Sequence, residues 1–155
     1  MDKISEFERT TAIGLLRYAK DYFEGFKIIS QKVPHGTSYN PMVKLLPVKC
    51  YLVGHTLELL LKSFLLCSGV PLSNLKDKIQ HDLMKCLEMA NENGLNLVDN
   101  KETAIIRVLN SCYKDKEFEY SKDGAMTIPH LKDIEDVVDK MLVLVEQKVM
   151  PKSNE

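Results

Sequence analysis

The residues best suited to chemistry share one stretch of the chain: Tyr51, His55, Glu58 and Lys62 follow one another at steps of four, three and four. On an α-helix that spacing puts all four on one side. An imidazole, a carboxylate and an ammonium in a row can move a proton or hold an anion. Two arrangements satisfy the pattern. In one, the stripe is a solvent-facing edge held by a Glu58–Lys62 i,i+4 pair worth a few tenths of a kcal/mol. In the other it is a polar groove, where Lys62 meets a phosphate or carboxylate and Glu58 fixes its position. His-x-x-Glu reverses the Glu-x-x-His order of di-iron bundles and occurs once, so no metal site is expected. Ser38 has no base or acid at a recognisable spacing, which leaves no hydrolase triad. With its neighbours His35, Thr37 and Tyr39 it stands in a loop that could act as a mobile binding element. The 7 glycines are scattered, with no Gly-x-Gly-x-x-Gly or Gly-Lys-Ser/Thr run to cradle a phosphate. No cofactor is expected.

The elements that must position this stripe are helices, because apolar residues recur at three- and four-residue steps through most of the chain. The first helix is predicted over about residues 3 to 30, with Leu15, Tyr18, Ala19, Tyr22, Phe26 and Ile29 as its buried stripe. Pro34, Gly36, Asn40 and Pro41 then make an irregular loop. The second helix starts with Pro41 or Pro47 in its first turn and runs through Leu52, Leu57, Leu60, Leu61, Phe64 and Leu65 to Gly69-Val70-Pro71, which stops it. It is the most apolar helix and should be central. A third begins near Gln80-His81-Asp82, where Asp82 favours a helix N-terminus, and ends at Asn93-Gly94. The Asp99-x-x-Glu102 spacing is a capping-box variant that opens a fourth helix over 100–113. Between Lys114 and Ile128 the helical period vanishes, and the alternation around Phe118 and Tyr120 with a Lys122-Asp123-Gly124 turn predicts an extended segment or short hairpin. A last helix carries Ile134, Val138, Met141, Val145 and Val149. Helices of about 28, 25, 13, 14 and 20 residues with short connections give an all-α, up-and-down bundle of four to five helices. One domain over 1–150 and a disordered tail over 151–155 are expected.

If the segment after the fourth helix folds back across the second, the candidate ligand-binding residues are His55, Glu58, Lys62, Tyr113, Tyr120 and His130. Tyr120 would then offer a base a stacking face, unless its ring is buried. Val137 and Leu144 lie off the main stripe of the last helix, so that helix, or the first, could supply a dimer face.

The chain's 155 residues suit one domain. A net charge of −1, from 21 basic and 22 acidic residues, excludes nucleic-acid binding by bulk charge and leaves room for a local basic patch. The longest unbroken apolar run, Met141 to Val145, is five residues, far short of the roughly 18 to 20 of a membrane span, so no membrane partner is expected. The opening Met1-Asp2-Lys3-Ile4-Ser5-Glu6 has no apolar core of a secretory signal. Cys50, Cys67, Cys86 and Cys112 form no Cys-x-x-Cys pair and read as small apolar residues in a reducing compartment. The expected location is the cytoplasm.

The second helix, His55-Thr56-Leu57-Glu58-Leu59-Leu60-Leu61-Lys62-Ser63-Phe64-Leu65-Leu66, is followed by Gly69 and then by His81-Asp82-Leu83. Over roughly residues 48 to 95 this resembles the HEPN superfamily, the higher eukaryote and prokaryote nucleotide-binding domains. Members typically show a Glu, a Leu-Lys-Ala-like step and a Gly, then a His-Asp-Leu opening the next helix. The resemblance implies a helical bundle, frequent homodimers, and a toxin–antitoxin, RNA-processing or phage-defence setting, with a nucleotidyltransferase-type antitoxin as a possible partner. It also implies that His81 and Asp82, with Glu58 and Lys62, form a framework fixing the second helix against the third.

Many HEPN members are metal-independent ribonucleases that use an Arg followed after four to six residues by a His, pairing proton transfer with charge stabilisation on the phosphate. Here Arg9, Arg17 and Arg107 have no histidine at that spacing. The expected function is therefore a non-catalytic HEPN-like binding module, dimeric, taking a partner protein, nucleotide or RNA. The alternatives are a diverged ribonuclease using Lys114 or Lys116 with His130, and a structural subunit of a larger assembly.

Overall fold

The computed structural model describes residues 9–32, 41–96 and 99–153. Its helices are α1 (Ala12–Lys32), α2 (Pro41–Cys67), α3 (Leu72–Asn74), α4 (Leu83–Glu92), α5 (Asn100–Tyr113) and α6 (Leu131–Val149), with a single π turn (Leu75–Ile79) continuing from α3. Among the described residues there is no strand. The chain is an all-α bundle, as its periodicity predicts.

The first helix starts later than the apolar pattern suggests. Thr11 Oγ1 accepts the Gly14 backbone N–H at 3.0 Å, which caps the helix at Ala12. The expected start at residues 3–8 lies outside the described residues, as do the loop positions His35, Thr37, Ser38 and Tyr39. α1 buries Leu16, Ala19, Phe23 and Phe26. Tyr18, predicted in that stripe, is instead 65% exposed.

α2 packs against α1, α4, α5 and α6 and buries Cys50, Val53, Leu57, Leu60, Leu61 and Leu65. Pro41 opens it, and Pro47 lies inside it, where the missing N–H leaves one ladder bond unmade. The stretch Leu45–Cys67 has a mean hydropathy of 1.4 and is long and apolar enough to cross a membrane. Counting unbroken apolar runs overlooks this, because Lys49, His55, Glu58 and Lys62 interrupt them. In the bundle, 67% of the apolar window is buried, the pattern of a core helix. Its end closes through the Val70 N–H on Leu65 O at 3.0 Å, with Gly69 at φ +92°, a backbone state that suits glycine.

The chain after Pro71 is more ordered than its breakers suggest. Leu75 and Ile79 are buried, and anchoring both winds the segment into α3 and the π turn. Gln80 ends that turn at φ +51°, its N–H on Leu75 O. α4 then begins at Leu83, directly after the Gln80-His81-Asp82 start that the sequence predicts. Asp82 caps it, accepting from the Met84 and Lys85 N–H groups at 3.1 and 3.2 Å.

α5 has the bounds read from sequence. Asp99 caps it by accepting from the Lys101 N–H at 2.6 Å, while Glu102 pairs with Lys140 of α6 at 2.6 Å instead of closing a capping box. Beyond Tyr113 the helix gives way to hydrogen-bonded turns, with Lys116 at φ +58°, and then to an irregular stretch over 121–130. The predicted hairpin is absent, and the residues around Phe118 and Tyr120, expected to be extended, lie in these turns, with the irregular stretch only after them. The turns tuck Phe118 into the core.

In α6, Val137, expected off the main stripe, is buried, and Leu144 is half-buried against the core. Lys20 pairs with Glu146, tying α1 to α6. The chain is non-helical over 151–153; residues 154–155 of the expected tail lie outside the described residues.

Candidate functional site

Glu58 sits on the one helix that every other long helix touches, and its side chain is only 5% exposed. A carboxylate so placed needs donors. Oε1 accepts from Lys62 Nζ at 2.6 Å, one helical turn on. Oε2 accepts from the Tyr113 hydroxyl at 2.5 Å, which comes from the last turn of α5. His81 Nδ1 lies 3.2 Å from both oxygens. His55 Nδ1 is 3.8 Å from Oε2 and 3.3 Å from the Tyr113 hydroxyl. Its ring lies parallel to Tyr51 at 5.6 Å and edge-on to Tyr22 at 4.5 Å.

Burial by itself would raise the Glu58 carboxyl. The His55 imidazole, the Lys62 charge and hydrogen bond, and the Tyr113 hydrogen bond outweigh it and hold the group well below the usual carboxylate range. Burial pushes the Tyr113 phenol far up, and the Glu58 charge and hydrogen bond add to the shift. Tyr113 therefore stays a donor. Lys62 Nζ also donates to Gln80 O at 2.7 Å, holding the strained residue beside His81.

A second clasp joins α4 to α5. Asn110 Oδ1 accepts the Leu83 N–H at 2.8 Å, and Asn110 Nδ2 donates to Asp82 Oδ1 at 3.0 Å. Burial would raise the Asp82 carboxyl. The Lys85 N–H, the Asn110 amide, the Met84 N–H and the Lys114 charge bring it below its ordinary value.

The structure thus brings together His55, Glu58, Lys62, His81 and Tyr113, with Asp82 alongside. Lys62 forms the i,i+4 pair with Glu58 that the spacing predicts and also donates to Gln80. Tyr113, at 5% exposure, is an interior donor. His55 is confined between two tyrosines. Tyr120 and His130 stand apart: both are exposed, and no side-chain hydrogen bond, ion pair or ring contact links either to this cluster.

Outside the cluster, and reached by half-exposed His81, is an open groove of about 500 Å³. Lys78 of the π turn, Lys85 of α4, and Lys114 and Lys116 beyond α5 line it, against Asp77, Asp82 and Asp115. Asp82 is already engaged as a cap. The groove offers ammonium groups and one imidazole to an anion. Of the residues in the diverged-ribonuclease alternative it contains Lys114 and Lys116 but not His130. Among the described residues no cluster of His, Cys, Asp and Glu fits a metal ion.

Sequence reasoning missed Lys78, Lys85, Asn110 and Gly54. The last had a signal, since glycine inside an apolar helix is costly and calls for a packing reason. A Cβ at Gly54 would fall 2.4 Å from the Tyr113 ring; the glycine makes room for that ring to reach Glu58. Comparison of the chain with known family models, curated proteins and solved structures finds no match.

Proposed function

We propose that this chain is a HEPN-like helical binding module that takes a phosphate-bearing ligand, a nucleotide or RNA, in the lysine-lined groove at His81. The observation that carries the reading is the convergence of Lys78, Lys85, Lys114 and Lys116 on one groove in a chain whose net charge is −1. Four lysines against Asp77, Asp82 and Asp115 leave the groove a small net positive charge, which attracts phosphate where the overall balance does not. The Glu58 cluster supports it from behind, because it fixes the Gln80-His81 turn at the groove wall. The resemblance would set such a module in a toxin–antitoxin, stress or phage-defence system beside a nucleotidyltransferase-type partner.

The test is titration of the purified chain with a nucleotide and with a short single-stranded RNA, followed by fluorescence anisotropy at several salt concentrations. Binding should weaken as salt rises. With RNA, replacing Lys114 or Lys116 by Gln should weaken it further and flatten the logarithmic salt slope by about 0.7 per phosphate contact removed. Binding that ignores both lysines would remove the groove from the reading. Measuring RNA cleavage in the same samples, with His130→Ala beside the unaltered chain, separates this module from the diverged ribonuclease.

A further inference from the structure

α4 and α5 follow one another in the chain and run antiparallel, with Asn110 near the end of α5 holding the Leu83 N–H at the start of α4. A second open groove, of about 560 Å³, lies along the pair, within the size range of small-ligand sites. Buried Leu87 and half-buried Met84 give it apolar surface. Its lining also carries opposite charges, Arg107 on α5 and Glu88 with Glu92 on α4. All three are exposed, and among the described residues none makes an ion pair or hydrogen bond through its side chain. Counted from the shared level of Asn110 and Leu83, the helical rise sets Arg107 and Glu92 about 9 Å apart along the groove. Thr103 and Asn91 line it between those levels, and Asn91 Oδ1 has no donor among the described residues.

We propose that this groove binds a short peptide with both ends free, about three residues long and apolar at its centre. Three extended residues span about 10 Å, which matches the separation of the charges. The terminal carboxylate lies at Arg107, whose planar guanidinium suits a two-pronged hydrogen bond. The terminal ammonium lies at Glu92, and Glu88 adds to the negative field there. The central side chain covers Leu87 and Met84 and removes their apolar surface from water. Peptide groups that lose water need new partners, and the Thr103 hydroxyl and Asn91 amide stand at the right height to be those partners. The two carboxylates disfavour a phosphate in this place. Asp82 and Lys85 line both grooves, whereas Arg107, Glu88 and Glu92 line only this one, so the two readings fail separately.

Chemical-shift titration of the isotope-labelled full chain with the tripeptide Ala-Leu-Ala tests it. Amide signals of α4 and α5 should move and saturate, with a dissociation constant in the millimolar range or tighter. Acetylating the amino end or amidating the carboxyl end should each raise that constant about tenfold. Arg107→Gln should do the same to the free peptide and nothing further to the amidated one. Glu88→Gln combined with Glu92→Gln should do so to the free peptide and nothing further to the acetylated one. The spectrum of each variant reports that its fold is kept. No saturable shift, or a shift centred outside α4 and α5, overturns the proposal. Blocked peptides that bind as well as the free one overturn it too, as do variants whose loss adds to that of the end-blocking with which each is paired.

Discussion

Glu58 shows how far spacing alone can be read. Its alignment with His55 and Lys62 follows from helical geometry, and both neighbours are where that geometry puts them. Tyr113 and His81 arrive from distant parts of the chain, and no local pattern announces such contacts. The cluster makes a definite claim about pH. The folded-state carboxyl lies below its unfolded value, so its stabilising effect is present above the ordinary carboxylate range, near pH 4.3, and drains away as the pH falls below it. Glu58→Gln removes the charge that Lys62, His81 and Tyr113 surround, and should cost about 3 kcal/mol at neutral pH. Urea unfolding from neutral to acid pH should show the unaltered protein losing its advantage over this variant. Parallel stability curves would mean that the carboxylate is not held in its charged form.

Among the elements, boundaries were legible where a side chain caps a helix. Asp99 and Asp82 mark the starts of α5 and α4, whereas the apolar stripe of α1 says nothing about where Thr11 closes it. The π turn escaped the reading because Gly69 and Pro71 announce a stop, while the burial of Leu75 and Ile79 is decided by the bundle. The same holds for the joint between α4 and α5. Asn110 satisfies the buried start of α4 from a neighbouring helix. Asn110→Ala should leave the Leu83 N–H without its partner and cost about 2 kcal/mol. Hydrogen exchange should quicken at Leu83 and the first turn of α4 more than at the middle of α2. Uniform quickening would show that the joint has no local role.

At the scale of the whole molecule, the central position of α2 was legible from its composition, because the most apolar helix has the most to gain from burial. What lies against its polar edge was not. The bundle also sorts the thiols. Burial pushes Cys50 and Cys86 up to about 12 and raises Cys112 as well, while Cys67 is exposed at the end of α2. An alkylating reagent should therefore modify one site quickly in the folded protein and the other three only as it unfolds. Intact-mass measurement over time checks this, and rapid modification of two or more sites would contradict the packing of the core. The seat that Gly54 leaves for the Tyr113 ring reaches beyond stability to inheritance. Neither position is free to drift alone: a larger residue at the first must await a smaller one at the second, and that loss would strip Glu58 of a donor. Descendants of this chain should therefore keep the pair intact or abandon both members together.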